Sequence, residues 1–82
     1  HIVQDADNLD ALGAVGIARM FAFGGANGKV VYDGTSTDSF SHYYQRLEKL
    51  PNLMNTPFAK DVAKKRIKFM QNFMAQFKKE TL

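Results

Sequence analysis

Thr56–Lys79 reads TPFAKDVAKKRIKFMQNFMAQFKK, and this stretch decides the fold class. Thr56 can accept an orphan backbone N–H and Pro57 has none to satisfy, so the pair predicts an N-cap followed by the first helical residue. Ala63, Ile67, Met70, Met74 and Phe77 recur at four- and three-residue steps, with Val62, Phe69 and Phe73 widening the stripe. Lys60, Lys64 and Lys68 line another face. The spacing predicts one amphipathic helix running to about Lys79. Such a stripe could also lie on a membrane surface, but methionine and phenylalanine at this spacing are the usual content of a core face, which is the expectation here.

Working outward, Phe40, Tyr43, Tyr44, Leu47 and Leu50 mark a second helix from about Asp38 to Leu50, stopped by Pro51. Residues 24–38, GGANGKVVYDGTSTD, hold four of the six glycines and a brief β-like Lys29–Tyr32. They predict a loop or short hairpin with a turn at Asp33–Gly34. Asp5 to Phe23 predicts another helix through Leu9, Leu12, Gly16, Ile17 and Met20, ended by Gly24–Gly25. Gly13, Ala14, Gly16 and Ala18 give it a small-residue surface. A helical glycine costs roughly 0.8–1.0 kcal/mol against alanine, so close approach by another backbone is expected there. The fold class is all-α: three main helices with one glycine-rich loop.

The chain has 82 residues, 45% hydrophobic and 23% charged, the composition of one small folded domain or part of one. Without cysteine it has neither a disulfide framework nor a thiolate zinc site, which suits a reducing compartment. The uncharged stretch from Met20 to the glycines before Lys29 falls far short of the roughly 20 apolar residues that span a bilayer. No basic n-region or cleavage site follows His1, so no signal peptide is expected and the location expected is cytoplasmic. Three helices bury too little apolar surface for a stable core on their own. Hence the chain reads as the C-terminal half of a larger helical domain, completed by the missing N-terminal half of the same domain or by another chain.

Charge is polarised along the sequence. Residues 1–40 carry five acids and two bases, whereas residues 41–82 carry nine bases and three acids, seven of those bases between Lys60 and Lys79. The basic residues fall on an apolar helix pattern without any nucleic-acid-binding motif, so nucleic acid is not the expected partner. In Ile2–Arg19, IVQDADNLDALGAVGIAR, Asp7 and Asp10 are three apart and share a helix face, while Asp5 sits about 200° around from Asp7. Two readings stand at this level: acids at a helix start answer the macrodipole, or one of them ligates a cation.

IVQDADNLDALGAVGIARMFAFGG resembles the closing segment of the HD superfamily of metal-dependent phosphohydrolases, where D-A-D-R-L-D-A-x-G-A-x-G-I-A-R follows His and His-Asp ligands contributed earlier in the chain. HYYQRLEKLPNLMNT is similar to that branch's His-aromatic segment with its L-M-N-T turn, and AKDVAKKRIKFMQNFMAQFKKE to its last amphipathic helix. The likeness covers nearly all of the chain.

This resemblance implies an HD-type helical domain and assigns roles. Asp7, in Ala6-Asp7-Asn8-Leu9, corresponds to the last ligand of the H…HD…D set, for a divalent ion such as Mn, Mg, Fe, Ni or Co held jointly with residues missing from this chain. Such an ion polarises a phosphoryl oxygen and activates water. Asp10 takes the catalytic position of orienting water or substrate, with a solvated acid as the alternative. Asp5 is expected in a supporting or capping place. Asn8 stands where the branch has Arg, so neutral hydrogen bonds replace a bidentate phosphate clamp. Arg19 is expected to pair with a carboxylate or the glycine loop, or to contact phosphate. His42 matches the branch's downstream His, as a structural residue or in ligand or acid–base work.

The function so implied is that of a fragment of a divalent-metal phosphohydrolase acting on nucleotides or small phosphate esters, the fragment alone being inactive. The alternative is a non-catalytic helical interaction or nucleotide-binding module of degenerate HD type. Gly24–Gly28 lacks the P-loop spacing and follows a helix, and no serine stands in a G-x-S-x-G context.

Overall fold

The computed structural model describes residues 2–35 and 37–81. These form α1 (Ile2–Leu9), α2 (Gly13–Ala26), α3 (Ser41–Gln45), a 3₁₀ helix (Leu47–Leu53) and α4 (Pro57–Glu80), with no strand among the described residues. The all-α class is as expected. At 1.5 Å rise the 24 residues of α4 span about 36 Å, close to the 38 Å long axis of the molecule. The other elements are arranged about it: α1, α2 and the 3₁₀ helix contact α4, and α3 packs on the 3₁₀ helix.

The start of α4 follows from its two caps. The Thr56 hydroxyl accepts the Ala59 N–H at 3.1 Å, and Pro57 takes the first turn. Ala59, Ala63, Ile67, Met70 and Met74 are buried and meet Leu12, Ile17, Met20, Phe40, Tyr43, Leu47 and Leu50 in one cluster. Burying the Leu, Ile, Met and Phe side chains among them contributes about 1.5–3 kcal/mol each before entropy is counted. Phe77, half-buried, closes the far end with ring centroids 4.9 Å from Phe40 and 6.2 Å from Phe21. The buried stripe is narrower than the spacing implies. Phe69 remains 51% exposed, because α4 turns it to the edge of a groove shared with Val15 of α2.

Three expectations give way. The single helix from Asp5 to Phe23 is two helices, broken at Asp10–Leu12. Leu12 is extended, with φ −117° and ψ 162°, which buries its side chain, and Gly13 follows at φ +77°, a backbone region that disfavours side chains. A Cβ on Gly13 would also crowd the Arg66 Cγ at 3.2 Å. The apolar three- and four-step pattern runs on across the break, which is why periodicity alone reads one helix. The close approach expected at the small residues is real at Gly16, which backs onto the Ala11 carbonyl of the link itself. Ala14 and Ala18 stay exposed.

The second helix is likewise shorter than predicted. Arg46 at φ −135°, ψ −54° ends α3, and a 3₁₀ helix carries the chain through Pro51 to Leu53. Pro51 therefore does not stop the element. With three residues per turn, Leu47 and Leu50 fall on one side and are buried beside α4. Asp38 lies outside the helix and organises the loop before it: its carboxylate accepts the Ser41 N–H at 2.8 Å, the Asp33 N–H at 2.9 Å and the Gly34 N–H at 3.2 Å. The turn at Asp33–Gly34 is present, with Gly34 at φ +82°. Lys29–Tyr32 forms no strand. The Val30 and Val31 carbonyls accept from Ser39 and Phe40 instead, so the segment is a loop tied to its own far end.

Two glycines of α2 separate packing from propensity. Gly16→Ala should destabilise the intact protein by about 1–3 kcal/mol, because the new methyl meets backbone that cannot swing aside. Gly25→Ala, with nothing within 4 Å of the added Cβ, should be neutral or stabilising by up to about 1 kcal/mol. Urea-unfolding midpoints of both variants check the contrast.

Candidate functional site

Asp5 anchors α1 to the beginning of α4. It is 4% exposed, and its carboxylate accepts the Asn55 backbone N–H at 2.8 Å, the Asn55 side-chain N–H at 3.0 Å and the Thr56 hydroxyl at 3.2 Å. The Asn55 backbone N–H is the chief reason its pKa lies below the usual carboxylate value; burial opposes this and the remaining donors reinforce it. Thr56 thus donates to Asp5 while accepting from Ala59, so one hydroxyl links the two helices.

Asp7 and Asp10 are placed differently. Only Asp5 falls in the first turn of α1; Asp7 lies in its last turn and Asp10 just beyond, its N–H still bonded to the Ala6 carbonyl at 3.1 Å. The dipole reading of these acids is therefore corrected for Asp7 and Asp10: the C-terminal end of a helix disfavours negative charge. Both side chains are exposed and neither makes a hydrogen bond or ion pair with any described residue. Asn8 between them is half-buried, and its carbonyl accepts the Ala11 N–H at 3.2 Å.

Two guanidinium groups close that end of α1. Arg66 of α4 donates to the Leu9 carbonyl at 2.7 Å, and Arg19 of α2 donates to the Asp10 carbonyl at 3.3 Å. Arg19 was expected to pair with a carboxylate or the glycine loop; it reaches the main chain of the α1–α2 link instead. On one continuous helix it would stand about three turns from Asp7. The break folds α2 back and brings it beside Asp10.

His42 of α3 and Arg19 line the same cavity, of about 240 Å³, whose other walls include Gly16, Met20, Phe23 and Leu47. His42 is half-buried and its imidazole bonds to no described residue. Burial lowers its pKa below 6.5, helped by the positive charges of Lys29 and Arg46, so the ring is neutral at neutral pH. The structure thus groups the sequence-predicted residues in three places: Asp5 inside the α1–α4 junction, Asp7 and Asp10 on the exposed end of α1, and Arg19 with His42 around the cavity.

Among the described residues no three His, Cys, Asp or Glu side chains converge. Asp7 is a hard oxygen donor that suits a divalent cation as one ligand of several. This chain supplies no complete coordination set among its described residues.

No family model matches the chain. Among curated proteins it is 46% identical over 78 residues to YpgQ of Bacillus subtilis, covering 95% of this chain and 38% of that protein. The crystal structure of YpgQ in complex with ADP superposes with a TM-score of 0.91 at 44% identity, over 96% of this chain and 43% of the other. An HD-superfamily hydrolase from Bacillus thuringiensis superposes with a TM-score of 0.88 at 53% identity, over 95% and 43% of the two chains. The chain has the fold of part of an HD-superfamily hydrolase. It spans about two-fifths of the relatives it matches, and no helix among the described residues is long and apolar enough to cross a membrane.

Several residues around the HD-like elements escape a reading of sequence alone. Asn55 lies 50 positions from Asp5, and Arg66 lies 57 from Leu9. Only the likeness of the L-M-N-T segment hints at the first contact, and nothing in the spacing hints at the second. Lys29 and Arg46, which act on His42, come from the loop and the α3 terminus.

The lowered pKa of Asp5 has a definite sign. A carboxyl group held below its unfolded value of 3.8 adds stability above that pH and loses it as pH falls through the folded value. Asp5→Asn should therefore be less stable than the parent at pH 7, and the gap should narrow at pH 3. Urea midpoints at the two pH values measure this.

Proposed function

We propose that this chain is the C-terminal part of an HD-type, divalent-metal-dependent phosphohydrolase acting on nucleotides or small phosphate esters, with Asp7 as its contribution to the metal. The observation that carries the reading is the position of that carboxylate. Asp7 is exposed and pairs with no described residue at the helix end where negative charge is least favoured, so no contact among the described residues accounts for it, whereas a cation bound there would offset the cost. The 53% identity to an HD-superfamily hydrolase and the ADP found in YpgQ support the reaction and substrate class.

In this reading the metal polarises the phosphoryl group and activates water. Asp10, one turn on and also unpaired among the described residues, orients the water or the substrate. Asn8 gives neutral hydrogen bonds to phosphate, and Arg19 supplies the cationic contact at the same helix end. Asp5 holds α1 in place. The remaining ligands come from the N-terminal half of the domain. Val15 and Phe69 beside Asp10, and Phe58 beside Leu9, leave apolar surface along α1, α2 and α4 for that half to cover.

Asp7→Asn in the intact protein should lower bound divalent metal, measured by elemental analysis, and reduce hydrolysis of nucleotides and p-nitrophenyl phosphate by at least about a hundredfold. Chelation should abolish the parent's activity, and added Mn or Mg should restore it. Activity unchanged in Asp7→Asn would remove Asp7 from the metal, and an intact protein that carries no divalent metal and hydrolyses neither substrate would instead be a non-catalytic nucleotide-binding module.

A further inference from the structure

The cavity between α2 and α3 has a use that its lining defines. Its floor is apolar and buried, made by Gly16, Met20 and Leu47, while Phe23 and Arg19 stand exposed at its rim and His42 forms one side. Phe23 is 63% exposed although it is one of the chain's large aromatic side chains, and it makes no ring contact with another described aromatic residue. A volume of about 240 Å³ lies below the roughly 300–1,000 Å³ of sites that enclose a whole drug-sized ligand. The cavity therefore suits one flat ring system and not an entire nucleotide.

The polar groups also discriminate among ligands. A neutral imidazole offers one donor and one acceptor, and those of His42 are used by no described residue. That pair matches the edge of a heteroaromatic base better than a phosphate, which accepts only. Arg19 spends one N–H on the Asp10 carbonyl and has no carboxylate partner among the described residues. Its remaining donors lie between the cavity and the Asp10 end of α1, where a phosphate chain leading from a bound base would pass.

Resting on the reading of the chain as part of a nucleotide-acting enzyme, we infer that this cavity is a nucleobase subsite: the base lies against Phe23 over Met20 and Leu47, His42 reads its edge, and Arg19 pairs with the phosphate chain directed toward Asp10. The subsite would select nucleotides over simple phosphate esters. The residues named for it all belong to this chain, whereas the metal needs ligands from elsewhere.

Equilibrium binding of ADP and of inorganic pyrophosphate to the intact protein, by calorimetry without added metal, tests the inference. Phe23→Ala and His42→Gln should each weaken ADP by about tenfold, as expected for loss of a stacking face or of a base-edge contact, and leave pyrophosphate within twofold. Arg19→Met should weaken both. Phe23 is largely exposed, so its variant should fold, and circular dichroism checks all three. No ADP binding by the parent, ADP affinity unchanged in Phe23→Ala and His42→Gln, or equal losses for ADP and pyrophosphate in those two variants would overturn the subsite. Hydrolysis of p-nitrophenyl phosphate by the parent, which needs no base contact, judges the phosphohydrolase reading separately.

Discussion

The buried carboxylate of Asp5 is the contact on which the placement of α1 depends. An eight-residue helix has too few turns to persist by itself in water, and α1 would have no fixed direction if nothing held it. Asp5 takes the Asn55 and Thr56 donors at the N-terminus of α4, and Arg66 takes the Leu9 carbonyl farther along the same helix. Two polar contacts, one near each end, thereby register α1 against α4. The direction in which Asp7 and Asp10 project follows from that registration, as does the start of the link that turns into α2.

The link is equally constrained. Leu12 can be buried only if the backbone leaves the helix, and Gly13 allows the turn that restarts it. Gly16 then permits α2 to lie against the Ala11 carbonyl, and Gly24 sits against Ser39 in the loop. The small residues of α2 thus serve close contacts within this chain, at Gly16 and Gly24, while Val15 and Phe23 on other sides of the helix remain exposed. The same turn brings Arg19 to the Asp10 main chain. A helix without a break would have carried its charge away from the acids.

Electrostatically the molecule separates its acids by use. Asp5 and Asp38 are buried, and donors hold both below the ordinary carboxylate pKa; at Asp38 burial pushes upward, but the N–H groups of Asp33, Ser41 and Gly34 together outweigh it. These two are structural anchors, one for a helix junction and one for the glycine-rich loop. Asp7 and Asp10 make no such bonds with described residues and stand in solvent at an unfavourable helix end. Bonded to no described residue, these two carboxylates face solvent where Asp5 and Asp38 face donors, and this difference of environment distinguishes four otherwise similar residues.

The sequence by itself determined the long helix, its caps at Thr56 and Pro57, its buried face, the all-helical class and the turn at Asp33–Gly34, because each depends on side-chain periodicity or on local backbone chemistry within a few residues. It also marked Asp7, Asp10, Arg19 and His42 for attention through a family likeness. Only the tertiary structure decided that the first helix breaks at Leu12, that a 3₁₀ helix runs through Pro51, that Asp5 is an anchor, and that Arg19 and His42 share a cavity. Those outcomes rest on contacts between residues far apart in the chain, such as Asp5 with Asn55 and Leu9 with Arg66. An apolar pattern with unchanged three- and four-residue steps carries no mark of a turn that long-range burial and hydrogen bonding impose.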